Sequence, residues 1–463
     1  MDYASFLANK AVVHTPQGME VPRDSLHFAL FDYQADITRW ALHLGKAAIF
    51  ADCGMGKTLM QLEWARHTSA KGQCLIIAPL AVAQQTVSEG EKFNIPVKYV
   101  RHQCEVDGEH DYRIFITNYE MAHHFSPASF NAVVLDESSI LKGQYSATKQ
   151  LLINQWKDTD FRLCCTATPA PNDFVEIGNH SEFLGVMSNG DMLTNFFIHD
   201  SADCKAVWRL KGHAQSEFWK WMASWSVMIR KPSDLGYDDA GFVLPPLNIE
   251  QVSIDVANTD QQYLFAMNAQ TLQERISARR ESIADRVAAC AELVNKTPGH
   301  WLVWCNMNAE SEALRKAING AIEVKGSDKP EVKESRLNGF AKGEYRVLIS
   351  KPSIAGFGMN FQHCANMAFV GLSDSYEQFY QAVRRCWRFG QERPVTAYVI
   401  TASTEGAVAA NIRRKEADAE RMATELVKHV SVYSNVNATK RIKTEYRAAN
   451  WIVIPSWLEE ESA

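Results

Sequence analysis

Residues 46–70 read KAAIFADCGMGKTLMQLEWARHTSA, and this stretch decides the fold. An apolar run ends at Asp52, a loop with glycines at 54 and 56 follows, and Lys57 and Thr58 open a segment of helical character. Glycines in such a loop let backbone N–H groups turn inward around phosphate oxygens, at a helix N-terminus that already favours anions. Gly54, Met55 and Gly56 would form the cradle, Lys57 would reach the β- and γ-phosphates of a nucleotide, and the Thr58 hydroxyl would ligate Mg2+. Ala51 stands where the strict pattern has its leading Gly.

Further along the chain the same alternation repeats. QCLIIAP (73–79), DYRIFITNYE (111–120), NAVVLDE (131–137) and FRLCCTATP (161–169) are short apolar runs closed by polar or turn residues, separated by helix-like text such as AVAQQTVSEGEKF (81–93). Such βα repeats predict a parallel sheet covered on both faces. The pattern breaks at about 170–250, where the aromatic text AQSEFWKWMASWSVMIRKP (214–232) reads as helix and LPPL (244–247) marks a linker. It restarts with HWLVWCN (300–306), AIEVKG (321–326), YRVLIS (345–350), NMAFVGL (366–372) and VTAYVIT (395–401). The expected class is α/β: an N-terminal segment over 1–27, a first lobe over 28–170, a helical insertion and linker over 171–250, a second lobe over 251–410 and a helical tail over 411–463.

The composition is that of an ordinary globular protein: 463 residues, 46% hydrophobic and 22% charged, which excludes a disordered or collagen-like chain. The formal charge of −6 excludes a protein that simply coats nucleic acid, since that binding rests on Lys and Arg neutralising phosphates. None of the ten cysteines falls in a C-x-x-C pair, so reduced thiols, no structural zinc and a cytoplasmic location are expected. No run is apolar enough to cross a membrane.

Two further motifs carry chemistry. VVLDESS (133–139) sets Asp136 and Glu137 at the end of a buried strand, where Asp136 can hold Mg2+ and Glu137 can align an attacking water. QAVRRCWRFGQ (381–391) carries arginines at 384, 385 and 388, and the 385-to-388 spacing predicts two guanidinium groups on one helix face, able to approach a γ-phosphate. His102, His110, His123 and His124 lack metal-ligand spacing, and Trp219, Trp221 and Trp225 at helical spacing read as packing rather than base stacking.

With these residues assembled, the chain resembles the superfamily 2 nucleic-acid helicases and translocases, most closely the Swi/Snf-type ATPases in the compact form encoded by bacteriophages and prophages. The likeness runs from about residue 28 to 405. It implies two tandem RecA-like lobes, ATP and Mg2+ as cofactors, and Gln34 in FDYQ (31–34) as an adenine contact. TATP (166–169) resembles the element that links ATP state to interlobe contacts through Thr166, Ala167 and Thr168. IAGFGMNF (354–361) resembles a coupling loop with Gly356, Gly358 and Asn360, and the 381–391 segment resembles the arginine-finger element, which assigns Gln381 to coupling and Arg385 and Arg388 to the fingers. Ser138 and Ser139 replace the usual third and fourth letters of the acidic box, and Arg384 occupies a position commonly Gly.

The resemblance further implies a nucleic-acid partner, double-stranded DNA first, tracked along one strand. Its contacts would come from backbone amides, hydroxyls and helix N-termini rather than net positive charge. Candidates are Ala78, Pro79, Thr117, Asn118, Ser350, Lys351 and Ser353. Protein partners would use the 171–250 insertion or the tail; no membrane is expected, and the cytoplasm of a prokaryotic or phage-infected cell is the expected location. The alternatives are an RNA helicase and a non-hydrolysing DNA-binding scaffold.

Overall fold

The computed structural model describes residues 14–143, 146–200, 207–254, 279–355, 359–373, 375–402 and 406–438. The first lobe contributes β1 (Lys46–Ala51), β2 (Cys74–Ala78), β3 (Val97–Tyr99), β4 (Ile114–Asn118), β5 (Ala132–Asp136) and β6 (Phe161–Cys165). An antiparallel hairpin follows, β7 (Phe197–Asp200) and β8 (Val207–Leu210), and then β9 (Ser226–Ile229). Apart from the hairpin these strands form one seven-stranded parallel sheet in the order β3-β4-β2-β5-β6-β1-β9. The central strands β2, β4 and β5 are buried along their whole length, because helices such as Asp32–Leu44, Lys57–Thr68 and Leu80–Lys92 cover the faces.

The second lobe holds β10 (Leu247–Ile254), β11 (Trp301–Cys305), β12 (Ala321–Glu323), β13 (Val347–Ser350), β14 (Asn366–Val370) and β15 (Val395–Ala402). They form a six-stranded parallel sheet in the order β10-β15-β14-β11-β13-β12. Two parallel sheets with crossover helices are the tandem RecA-like lobes that the βα alternation implies.

The region read as a helical insertion is only partly helical. The aromatic helix over 214–232 stops at Ala223, and the next apolar run, SVMI, pairs with β1 as the edge strand of the first sheet. Its four residues are buried, and the aromatic text around them hides their strand character. Trp219, Trp221 and Trp225 are buried with Phe196 and Phe218, the Trp221 and Trp225 rings 5.3 Å apart, which makes them core. At the other end, β10 begins at Leu247 and pairs with β15, so the crossing between lobes lies between Ile229 and Leu247.

The described part of the tail is a helix over Gly406–Ala438 that belongs to both lobes. Val408 and Ile412 enter the core of the second lobe; Met422, Ala423 and Leu426 enter the core of the first. The basic run KRIKTEYR (440–447) lies outside the described residues. Among the described residues no helix is long and apolar enough to cross a membrane.

Candidate active site between the lobes

The phosphate loop follows β1, and the acidic pair ends β5, two strands away with β6 between them. Strand ends at such a position open a crevice where ligands bind in parallel sheets. Gly54 and Gly56 have φ of +91° and +76°, a region that L side chains rarely enter. Gly56 is the N-cap of the Lys57–Thr68 helix. A Cβ on Gly54 would also lie 3.2 Å from the backbone N of Phe389 in the second lobe, so the loop needs glycine there for space as well as for conformation.

Lys57 folds back, its Nζ donating to the carbonyls of Ala51 (2.8 Å) and Asp52 (3.4 Å). Asp136 is buried, and its Oδ1 accepts from Gln61 Nε2 at 2.8 Å and from the Glu137 N–H at 3.0 Å. Glu137 has φ of +53°, a left-handed conformation costing a non-glycine residue about 1–3 kcal/mol. That twist turns its carboxylate towards the loop after β6, where Thr166 Oγ1 donates to Glu137 Oε2 at 3.2 Å and the Thr168 N–H donates to Thr166 Oγ1 at 3.1 Å. Burial, opposed by Lys57 and reinforced by Asp136 and Glu377, raises Glu137 to about 7. Burial likewise raises Asp136, against Gln61, Lys57 and the Glu137 N–H. Two adjacent carboxylates held in so dry a place suit a divalent cation. Thr58 and Asp136 carry the kind of hard oxygen that would hold Mg2+.

Gln34 is buried against the loop. Its Nε2 donates to Met55 O at 3.0 Å and to Tyr33 Oη at 3.2 Å, and its Oε1 accepts from the Phe31 N–H at 3.0 Å. Tyr33 Oη donates to the same Met55 carbonyl at 3.1 Å.

From the second lobe the helix Tyr376–Val383 points its C-terminal end at the phosphate loop. The arginines do not share a helix face as the spacing suggests. The helix ends at Val383 and residues 384–388 form the turns beyond it, where cations meet the negative end of the helix dipole. Arg385 donates to Gln381 O, Gln381 Oε1 and Met359 O, each at 3.0 Å, and its charge is felt by Glu137. Arg388 donates to Asn360 Oδ1, and Gln381 Oε1 lies 3.6 Å from Cys53 Sγ in the phosphate loop. Burial, then Arg385, lower Arg388 to about 10. Arg388 Nε and Gln381 Nε2 are buried without hydrogen-bond partners. Gly356 and Gly358 lie outside the described residues.

The nucleic-acid candidates divide. Ala78, Thr117 and Ser350 are fully buried and Asn118 nearly so, which takes those side chains out of reach of a track; Ser350 Oγ is committed to Val324 O at 3.2 Å. Pro79 and Lys351 are half-buried and Ser353 is exposed. Sequence reasoning missed Gln61, which aligns Asp136, and Glu377, which reaches the acidic box from the other lobe. The only signal for Gln61 was its place one helical turn beyond Lys57.

Residues 33–211 match the family model of the SNF2-related domain, and residues 285–390 match that of the helicase conserved C-terminal domain. The chain thus carries the two domains of an SNF2-type ATPase. It is also similar to the ATP-dependent helicase YqhH of Bacillus subtilis (strain 168), itself uncharacterized, at 23% identity over 442 residues, covering 82% of this chain and 77% of the relative. As an SNF2-type enzyme it is a nucleic-acid-dependent ATPase, built from the two lobes whose facing edges carry the groups above.

Proposed function

We propose that this SNF2-type ATPase is a double-stranded DNA translocase that hydrolyses ATP, with Mg2+, in the cleft between its lobes. Thr58 and Asp136 hold the metal, which when bound offsets the charge of the phosphate oxygens. Lys57 leaves the Ala51 and Asp52 carbonyls for the β- and γ-phosphates. Glu137 orients the attacking water and accepts its proton, and Thr166 fixes the carboxylate that does so. Arg385 and Arg388 stabilise charge on the transferring phosphoryl group. Gln34 holds the Met55 carbonyl from behind the loop and keeps the second lone pair of Oε1 for the amino group of adenine.

The observation that carries this reading is a pair of buried, unpartnered donors, Arg388 Nε and Gln381 Nε2, facing a loop whose lysine is turned back on itself. An anion in the cleft satisfies all three. Duplex DNA is favoured over RNA by the DESS form of the acidic box and the finger element ending in Gly390 and Gln391. Pro79, Lys351 and Ser353 are its contacts on the cleft rim, and protein partners would use the β7–β8 hairpin, where Ile198 is exposed. The resemblance to the phage- and prophage-encoded form supports the cytoplasm of a prokaryotic or phage-infected cell as the place of work. ATPase stimulation by duplex DNA, single-stranded DNA and RNA tests the choice of track, with a triplex-displacement assay for translocation. Stimulation by RNA alone would overturn it.

A further inference from the structure

Two of the residues that depart from the family pattern, Ser139 and Arg384, each make a contact across the cleft. Glu377, Tyr380 and Gln381 are spaced i, i+3, i+4 on one face of the Tyr376–Val383 helix, Arg384 is its C-cap, and all four touch the first lobe. Arg384 pairs through Nη2 with Asp52 Oδ2, and its Nε donates to Asp52 Oδ1 at 3.1 Å. Tyr380 Oη donates to the same carboxylate, which also accepts from the Cys53 N–H at 2.6 Å. The guanidinium lies 4.6 Å from the Trp387 ring centroid and is 2% exposed. About two turns earlier, Glu377 accepts from Ser139 Oγ and pairs with Lys142.

We propose that Arg384 is a positioning residue: by its two-point pairing with Asp52 it seats the 384–388 turn on the phosphate loop, so that Arg385 and Arg388 face the nucleotide only when the lobes are closed. Glu377 with Ser139 and Lys142 is the second point of the same latch. Asp52 suits the task because its side chain takes Arg384 while its backbone carbonyl accepts from the Met55 N–H at 3.2 Å and from Lys57. A shift of the loop on nucleotide binding therefore reaches the arginine turn directly. A buried pair within one rigid body adds little to stability because desolvation offsets attraction. A pair between two bodies differs: both charges regain water when the lobes part, so it sets the opening equilibrium. A cavity of about 260 Å3 beside it, lined by Asp52, Thr168, Tyr376 and Tyr380 among others, leaves room for the lobes to shift.

The consequence for hydrolysis rests on the roles assigned to Arg385 and Arg388, and the test separates the two. Small-angle scattering of the full chain without nucleotide reads closure alone: Arg384→Gln and Asp52→Asn should each enlarge the radius of gyration, and an unchanged radius in both overturns the latch whatever the ATPase does. In nucleic-acid-stimulated ATPase assays Arg384→Gln should lower kcat about tenfold, the size of a typical coupling between contacting residues, with KM for ATP within about twofold. Arg384→Lys, which cannot make the paired contact, should behave alike. The double variant with Asp52→Asn should lose no more than the worse single variant; losses that multiply overturn the pairing. Should Arg384→Gln not fold, Glu377→Gln tests the second point by the same expansion and a smaller fall in kcat, and the absence of both overturns the latch.

Discussion

The two lobes hold their shares of the site in different ways. The first lobe aligns its two carboxylates with its own groups: Gln61 aligns Asp136, Thr166 aligns Glu137, and Tyr119 Oη donates to the Asp136 carbonyl at 2.7 Å. The second lobe presents cations whose partners are partly its own, Met359, Asn360 and Gln381, and partly, through Arg384, those of the first lobe. A half-site wired within one rigid body keeps its geometry while the lobes move; a half-site wired across the cleft is complete only on closure. On the proposed mechanism, chemistry waits on closure chiefly through the basic half.

The sharpest way to break that contrast is to remove one group from each half. Arg385→Ala and Arg388→Ala should each lower stimulated kcat by about a thousandfold, the range for arginine fingers, while a fluorescent ATP analogue still binds. Glu137→Gln should be as severe without changing interlobe distance. A loss below tenfold at either arginine would remove it from the transition state.

Stability should separate the lobes next. Arg286 and Glu310 form a fully buried pair at 2.8 Å inside the second lobe, with Glu310 also accepting from the Asn306 and Met307 N–H groups. Glu310→Ala should cost about 3 kcal/mol, read as lost hydrogen-exchange protection confined to residues 279–402. In the first lobe Glu63 is fully buried at the side chain. Burial raises it, but Arg66, His67 and the His27 N–H outweigh that and bring it to about 2. A carboxylate lowered on folding contributes stability above its unfolded pKa of 4.5 and loses it as pH falls through about 2. The stability gap between wild type and Glu63→Gln should therefore be about 3 kcal/mol near pH 6 and close by pH 2, as denaturant titrations would measure; a gap independent of pH would contradict the pairing.

The smallest effects concern the track. With a charge of −6, binding to duplex DNA without nucleotide should be weak and its salt dependence shallow, so a steep slope would contradict contacts made by amides and hydroxyls. Thr117→Val should leave DNA affinity and stability nearly unchanged, since the Thr117 hydroxyl is buried without a partner and an isosteric apolar group is tolerated there. Lys351→Ala, on the rim, should weaken binding about twofold, the order of one partly screened phosphate contact.

Legibility in the sequence followed locality. The strands at 46–51, 74–78, 114–118, 132–136 and 161–165 stood out as apolar runs between turn residues, because strands buried on both faces must be apolar throughout. β9 did not, since four residues among tryptophans carry no periodicity of their own. The end of the helix at Val383 was hidden as well, because the arginines that follow it are good helix formers and are held by tertiary contacts, among them Met359 and Asp52. Gln61 and Glu377 carried no motif, as each acts on a residue distant in sequence.

By itself the sequence determined the parallel α/β class, the phosphate loop and the acidic pair, because each is written within a dozen consecutive residues whose backbone geometry is local. The tertiary structure alone decided that a serine and an arginine standing outside the family pattern serve as interlobe contacts, that the C-terminal helix belongs to both cores, and that Thr117 and Ser350 are out of reach of a track. The interlobe contacts depend on which surfaces meet across more than two hundred residues of chain, and burial and charge pairing at such a meeting have no local signature.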